Sequence, residues 1–262
     1  MVVMALLSVI VIGLMAMFGQ VQKAFRGSMT QTDVLESGRA AADMLSRDLV
    51  GVIPSYQSQV TNFYAQIPPI PNPAITQSLP GAGGVSRINV LEKFFVLTRE
   101  NQTWIGYGYL VDDNGSGIGT LYRYLATTNV SQSPLRLLPN FPVSPSASTN
   151  WHRVMDGVVQ FRIRAFATNG VFLTSLVTNN MNNMTIVRST IAPGEIDLYV
   201  FRSNAVPAYV EFELGILEPR AYERFKALPS SAQKSYLQNQ VGRVHMFRQR
   251  VPVRAVDATA YQ

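Results

Sequence analysis

The eighteen residues at the start of this chain, MVVMALLSVIVIGLMAMF, constrain it more than any other stretch, because only Ser8 and Gly13 interrupt an otherwise unbroken apolar run. The first charged side chain is Lys23. As a helix rising about 1.5 Å per residue, the run would measure ~27 Å, close to the ~30 Å hydrocarbon thickness of a bilayer. A helix in a soluble core seldom stays apolar on every face over such a length. The run therefore reads as a membrane-embedded helix, with Val2, Val3, Leu6, Leu7, Val9, Ile10, Ile12, Leu14 and Phe18 as its apolar surface. A cleaved signal peptide would need basic residues ahead of the run and a small-x-small site behind it. No Lys or Arg precedes the run and bulky Met and Phe close it, so it reads as a retained anchor.

Residues 19–52 contain no proline, and helix formers dominate. Apolar side chains recur at Val21, Phe25, Met29, Leu35, Ala41, Ala42, Leu45, Leu49 and Val52, mostly three or four apart, which is one stripe along a helix. Leu35, Ala42, Leu45, Leu49 and Val52 are the residues expected to pack on a globular head. Arg39, Asp43, Arg47 and Asp48 fall opposite, with Arg39–Asp43 and Asp43–Arg47 spaced for i,i+4 ion pairs. Gly27, Gly38 and Gly51 weaken the helix locally, and Pro54 ends it. The spacing thus predicts one helix about 78 Å long. Residues 1–22 form its membrane part, 23–53 its amphipathic continuation, and 54–262 the head.

The head reads as β-rich. The stretch PPIPNPAITQSLPGAGG at 68–84 is an irregular loop. Strands are expected at 88–97, 103–111 and 121–125, the last two joined through the turn DDNGSGIG into a hairpin. Residues 129–150 are Ser-, Pro- and Asn-rich loop, and NNMNNM at 179–184 is a surface insertion. In 158–167, Val159, Phe161, Ile163 and Ala165 alternate with outward Gln160, Arg162 and Arg164. Strands at 196–201 and 208–214 follow, the second with Glu211 and Glu213 outward. A helical stretch over 219–240, kinked at Pro229, then leads to a strand, VHMFRQRVPV.

Charge is concentrated at this end. Between residues 216 and 254, Arg220, Arg224, Lys226, Lys234, Arg243, Arg248, Arg250 and Arg254 face only Glu218 and Glu223, a surplus equal to the chain's whole net charge of +6. Such a surface suits an acidic partner, anionic headgroups or nucleic acid. Arg220, Arg224, Lys226, Arg243, Arg248 and Arg250 are the candidate partner surface. At helix spacing Tyr222 and Phe225 turn inward rather than forming base-stacking platforms, which weighs against nucleic acid.

Signatures of chemistry are few. The chain has no cysteine, so disulfides and thiolate chemistry are excluded. His152 and His245 stand in no metal-ligand spacing, and no nucleophile motif accompanies His152 and Asp156. Asp112, Asn114, Ser116 and Gly117 occupy positions 1, 3, 5 and 6 of a calcium loop, but Arg123 stands where the bidentate Glu is required. The segment reads as a hairpin turn, and no cofactor or metal is expected.

The run VVMALLSVIVIGLMA, then ESGRAAADMLSRDL, LYRYL at 121–125, DGVVQFRIRAF at 156–166 and PAYVEFEL at 207–214 resemble, in that order, the type IV pilin and pseudopilin superfamily. The similarity is to its larger, J-class minor pseudopilins. The stretch ERFKALPSSAQKSYLQNQVGRVHMFRQRVPVR is more loosely similar to pilin-like proteins of the Verru_Chthon cassette families. The resemblance implies an α+β, pilin-like fold, a long N-terminal helix packed on a mostly antiparallel β-sheet head. It also implies a non-enzymatic structural role, as a minor subunit that assembles into or caps a periplasmic pseudopilus of a type II secretion or type IV pilus-like system. The implied partners are other pilin subunits and, before assembly, inner-membrane lipid; the implied location is the bacterial inner membrane, single-pass, with the head in the periplasm.

The family's basic leader and the Phe-Thr-Leu-x-Glu segment after it are not in this sequence, and Met1 falls one or two residues past the family's glutamate. A late start or a fragment is expected, so no residue here inherits the prepilin peptidase site, the methylated N-terminus or that glutamate. Two alternatives remain: a membrane-anchored periplasmic binding protein unrelated to filaments, and a DNA-handling minor pilin.

Overall fold

Proline-free sequence up to Val52 permits one long helix, and the computed structural model contains it as α1, Val2–Val50. The structure describes residues 2–68, 76–77, 87–141, 145, 148–174, 183–189 and 195–261. The C-terminal turns of α1 dock through Val34, Ala41, Ala42, Leu45, Leu49 and the following Val52, all buried at three- and four-residue spacing. Leu35 was expected on this stripe but is 38% exposed. One position past Val34, it stands about 100° round the helix from the docking face. Asp48, expected on the solvent face, is only 5% exposed.

The docking surface is one nine-stranded antiparallel sheet, curled as half a barrel, in the order β11-β10-β7-β6-β5-β4-β1-β9-β8. Its strands are β1 (Thr61–Gln66), β4 (Lys93–Glu100), β5 (Thr103–Asp112), β6 (Gly119–Asn129), β7 (Trp151–Phe166), β8 (Met184–Arg188), β9 (Ile196–Arg202), β10 (Tyr209–Leu217) and β11 (Val244–Pro252). A two-stranded pair, β2 (Thr76–Gln77) and β3 (Arg87–Ile88), lies apart. β1 and β8 are not among the strands expected from the sequence, and β6 extends to Asn129, the first residue of the expected loop. Most of the expected loop at 68–84 and of the insertion at 179–184 lies outside the described residues, although Met184 begins β8.

These findings correct the fold class. The chain is dominated by antiparallel sheet rather than being an α+β pilin-like fold with a membrane-spanning half-helix. Apart from α1, the α-helices are short: α2 (Pro219–Lys226) and α3 (Ser230–Gln238), separated at Pro229. Among the described residues no helix is long and apolar enough to cross a membrane, which overturns the single-pass inner-membrane location.

The inner face of the sheet brings Phe63, Phe94, Tyr109, Phe161, Phe212 and Leu214, each fully buried, against the α1 stripe. Burying each such side chain contributes roughly 1.5–3 kcal/mol. Gly38 lets α1 approach β11, since a Cβ there would sit 2.2 Å from the Phe247 ring. On the outer face α2 and α3 close a second cluster, in which Ala221, Phe225 and Leu237 cover Val159, Leu217 and Val244. Val159 was expected inward with Phe161. The register of β7 on β10 slips between Gly215 and Ile216, so Val158 joins Phe161 on the inner face while Val159 turns outward.

Candidate functional site: the uncovered half of the long helix

Every side chain described between Leu7 and Phe25 on α1 is exposed. Leu7, Ile10, Val11, Ile12, Leu14, Met15, Met17, Phe18, Val21 and Phe25 are the large apolar residues among them, with Met15 at 73% and Phe18 at 65%. Successive residues turn by about 100°, so residues 10–18 present apolar atoms on every side of the helix. Among the described residues nothing would stand within 4 Å of a Cβ at Gly13 or Gly19. Of the residues expected to form this surface, Leu7, Ile10, Ile12, Leu14 and Phe18 are placed so; Val2, Val3, Leu6 and Val9 belong to α1, but their side chains lie outside the described set. Contiguous apolar surface on this scale marks an interaction site.

The helix is held where it leaves this exposed region for the sheet. Asp48, on its last turns, accepts hydrogen bonds from the Tyr109 hydroxyl at 2.5 Å and from Arg123 Nε at 2.8 Å and Nη2 at 3.0 Å. Arg123 in turn lies 4.3 Å over the Tyr107 ring. Burial, then the Asp48 charge, holds the Tyr109 hydroxyl far above its ordinary pKa, so it remains a donor. Ser46 Oγ adds a 2.9 Å bond to Gln249 Oε1 on β11. The clamp was not legible in sequence: its members are 61 and 75 positions apart, and Asp48 sits among residues that share the solvent face of an idealised helix.

The basic C-terminal set is not one surface. Arg248 pairs with Glu211 at 2.8 Å and Glu213 at 3.6 Å, and Lys226 pairs with Glu223 at 2.5 Å. Arg250 stacks 3.8 Å over Phe166 and donates to the Gly170 carbonyl at 3.0 Å. Arg220, Arg224 and Arg243 remain exposed, on α2 and just ahead of β11. Arg162, Glu211 and Glu213, expected outward, are buried as a cross-strand network: Arg162 bonds Glu213 and, at 2.5 Å, Glu195. The facing registers Arg162–Glu213–Arg248 and Arg164–Glu211–Arg250 alternate in sign across three strands.

In the turn at Asp112, Gly117 N–H donates to Asp113 Oδ2 at 2.9 Å, and Ser116 Oγ bonds the Asp113 carbonyl at 2.7 Å. Asn114, Gly115 and Gly117 all have positive φ, as a hairpin tip requires. His152 is exposed, and His245 Nε2 lies 3.6 Å from Glu218. No cluster of three metal-ligating side chains occurs among the described residues. No family model matches the chain, and neither the curated proteins nor the solved structures give a match.

Proposed function

We propose that this chain is a structural subunit that assembles through the first half of α1 into a bundle of like helices, as a minor pilin or pseudopilin of a type II secretion or type IV pilus-like system does in initiating or capping its filament. The observation that carries the reading is the apolar surface on all sides of residues 10–18, left uncovered by the chain's own head. A single neighbour would cover one stripe; apolar atoms on every side suit a helix surrounded by others. Each such side chain removed from water contributes roughly 1.5–3 kcal/mol, so a few contacts per neighbour suffice for stable packing. The clamp at Asp48 gives the helix a fixed exit from the head, which a repeating assembly needs.

The test uses the full chain carrying Met15→Glu and Phe18→Glu. Assemblies of the native protein, followed by sedimentation and electron microscopy, are expected to be lost in the variant. The urea midpoint of the head should stay put, because exposed positions typically change stability by under ~0.5 kcal/mol. Assemblies that persist with both glutamates in place would overturn the proposal.

A further inference from the structure

A second surface lies at the other end of α1, where the chain leaves the helix for the head. Two open grooves meet there and share Ile53. One, of about 600 Å³, is lined by Asp43, Arg47, Val50 and Arg254 among others; the other, of about 460 Å³, by Tyr56, Arg99, Trp104 and Val256 among others. Arg47, Arg99 and Arg254 are exposed, and among the described residues none of the three forms an ion pair. Arg99 lies 5.6 Å over the Trp104 ring, and its Nε donates to the Asn101 carbonyl at 3.1 Å. The Trp104 indole N–H is buried, with no acceptor among the described residues.

Tyr56 is the most telling residue here. It is 67% exposed, yet its backbone is held at φ +56°, a conformation that bulky residues seldom adopt. The surroundings enforce it. Tyr56 N–H donates to the Ser203 carbonyl at 3.0 Å, and the fully buried Asn62 ties the same turn together. Asn62 accepts from Ser55 N–H at 3.0 Å and donates to the carbonyls of Ser203 and Ala205 at 2.8 and 2.9 Å. A strained backbone fixed by a buried clamp, with an aromatic ring in water as its result, is a pattern of recognition sites.

The geometry points to this furrow as the docking site for an extended, acidic peptide segment of a partner protein, with its carboxylates on Arg47, Arg99 and Arg254 and its apolar side chains against Val50, Ile53 and the Tyr56 ring. Guanidinium groups free of carboxylates form strong bidentate bonds with them. A peptide fits better than nucleic acid. The aliphatic lining offers nothing to a phosphate backbone, and Tyr56 is a lone stacking platform where single strands use several. The inference goes beyond the assembly of α1 and is independent of residues 7–25, so either can fail alone.

Fluorescence anisotropy on the full chain tests it. The probe is a labelled peptide of about twelve residues alternating Glu with Leu, which spans up to ~40 Å when extended. A Lys-for-Glu peptide and a single-stranded oligonucleotide of similar length are the comparisons. The acidic peptide should bind and the basic one should not, with affinity falling as salt rises. Arg99→Gln with Arg254→Gln should weaken binding about tenfold or more, as loss of charged contacts does. Tyr56→Gly should also weaken it while leaving the urea midpoint unchanged or raised, because glycine takes positive φ without strain. Absence of acidic-peptide binding, equal binding by the arginine variant, a lowered midpoint for Tyr56→Gly, or tighter binding of the oligonucleotide would each overturn the inference.

Discussion

Removing the Asp48 carboxylate should loosen the long helix from its sheet more than any other single polar change at that interface. In Asp48→Ala the Tyr109 hydroxyl, on a fully buried ring, loses the acceptor it reaches at 2.5 Å. Leaving a buried donor unsatisfied costs about 1–3 kcal/mol. Arg123 loses both of its bonds to the carboxylate. Breaking a fully buried pair costs about 3–5 kcal/mol, but the Arg123 side chain is 21% exposed, so water recovers part of this and about 1–2 kcal/mol is the better figure. Together the expected loss is about 2–5 kcal/mol. Asp48→Asn keeps an oxygen for Tyr109 and forfeits the charge, so about 1–2 kcal/mol is expected. Urea unfolding followed by the fluorescence of Trp104 and Trp151 measures both. Once Asp48 is gone, Arg123→Ala should cost far less than in the native chain, with a coupling of about 1–3 kcal/mol in the double-mutant cycle. A loss under about 1 kcal/mol for Asp48→Ala, or single effects that simply add, would refute the clamp.

Leu45→Ala should cost about 2–5 kcal/mol in the same assay, because its side chain is fully buried against the sheet, whereas Leu35→Ala on the exposed flank should cost under about 0.5 kcal/mol; similar losses at both would place the docking face wrongly. Glu92 is buried and accepts from Ile163 N–H at 2.9 Å. Burial holds its carboxyl well above the ordinary value of 4.5, with the Glu195 charge adding to this and the Ile163 N–H, Arg162 and Arg164 opposing it. A carboxyl raised in the folded state contributes stability that is complete below its unfolded pKa and is lost as pH rises through its folded one. Glu92→Gln, which keeps an acceptor for Ile163, should therefore match the native urea midpoint near about pH 4 and exceed it by about pH 8; midpoints that track each other across that range would show that the native carboxyl is not destabilised.

Local spacing made much of the framework legible. The absence of proline up to Val52 and the recurrence of Ala41, Ala42, Leu45 and Leu49 determine a long helix with one docking face, and both are present in α1. Local patterning placed seven strands, β4 to β7 and β9 to β11, and the break at Pro229 placed α2 and α3. Periodicity is a property of neighbours in the chain, so it survives without knowledge of the fold. It also has limits at the level of one residue. Leu35 lies a single position off the stripe, and one bulge at Val159 exchanges the faces of a strand.

The tertiary structure alone decided where charge goes. Net charge and local density singled out Arg248 and Arg250, yet facing registers on β10 pair Arg248 with Glu211 and Glu213, and the ring of Phe166 takes Arg250. Asp48 looked solvated from its helix and is buried because β5 and β6 bring Tyr109 and Arg123 onto it. Meanwhile Arg47, Arg99 and Arg254, which are scattered through the sequence, line two joined grooves at the end of α1. The physical reason is range. Helix and strand patterns arise from contacts a few residues apart, whereas the fate of a charge depends on which distant partner the sheet order places within hydrogen-bonding distance of it.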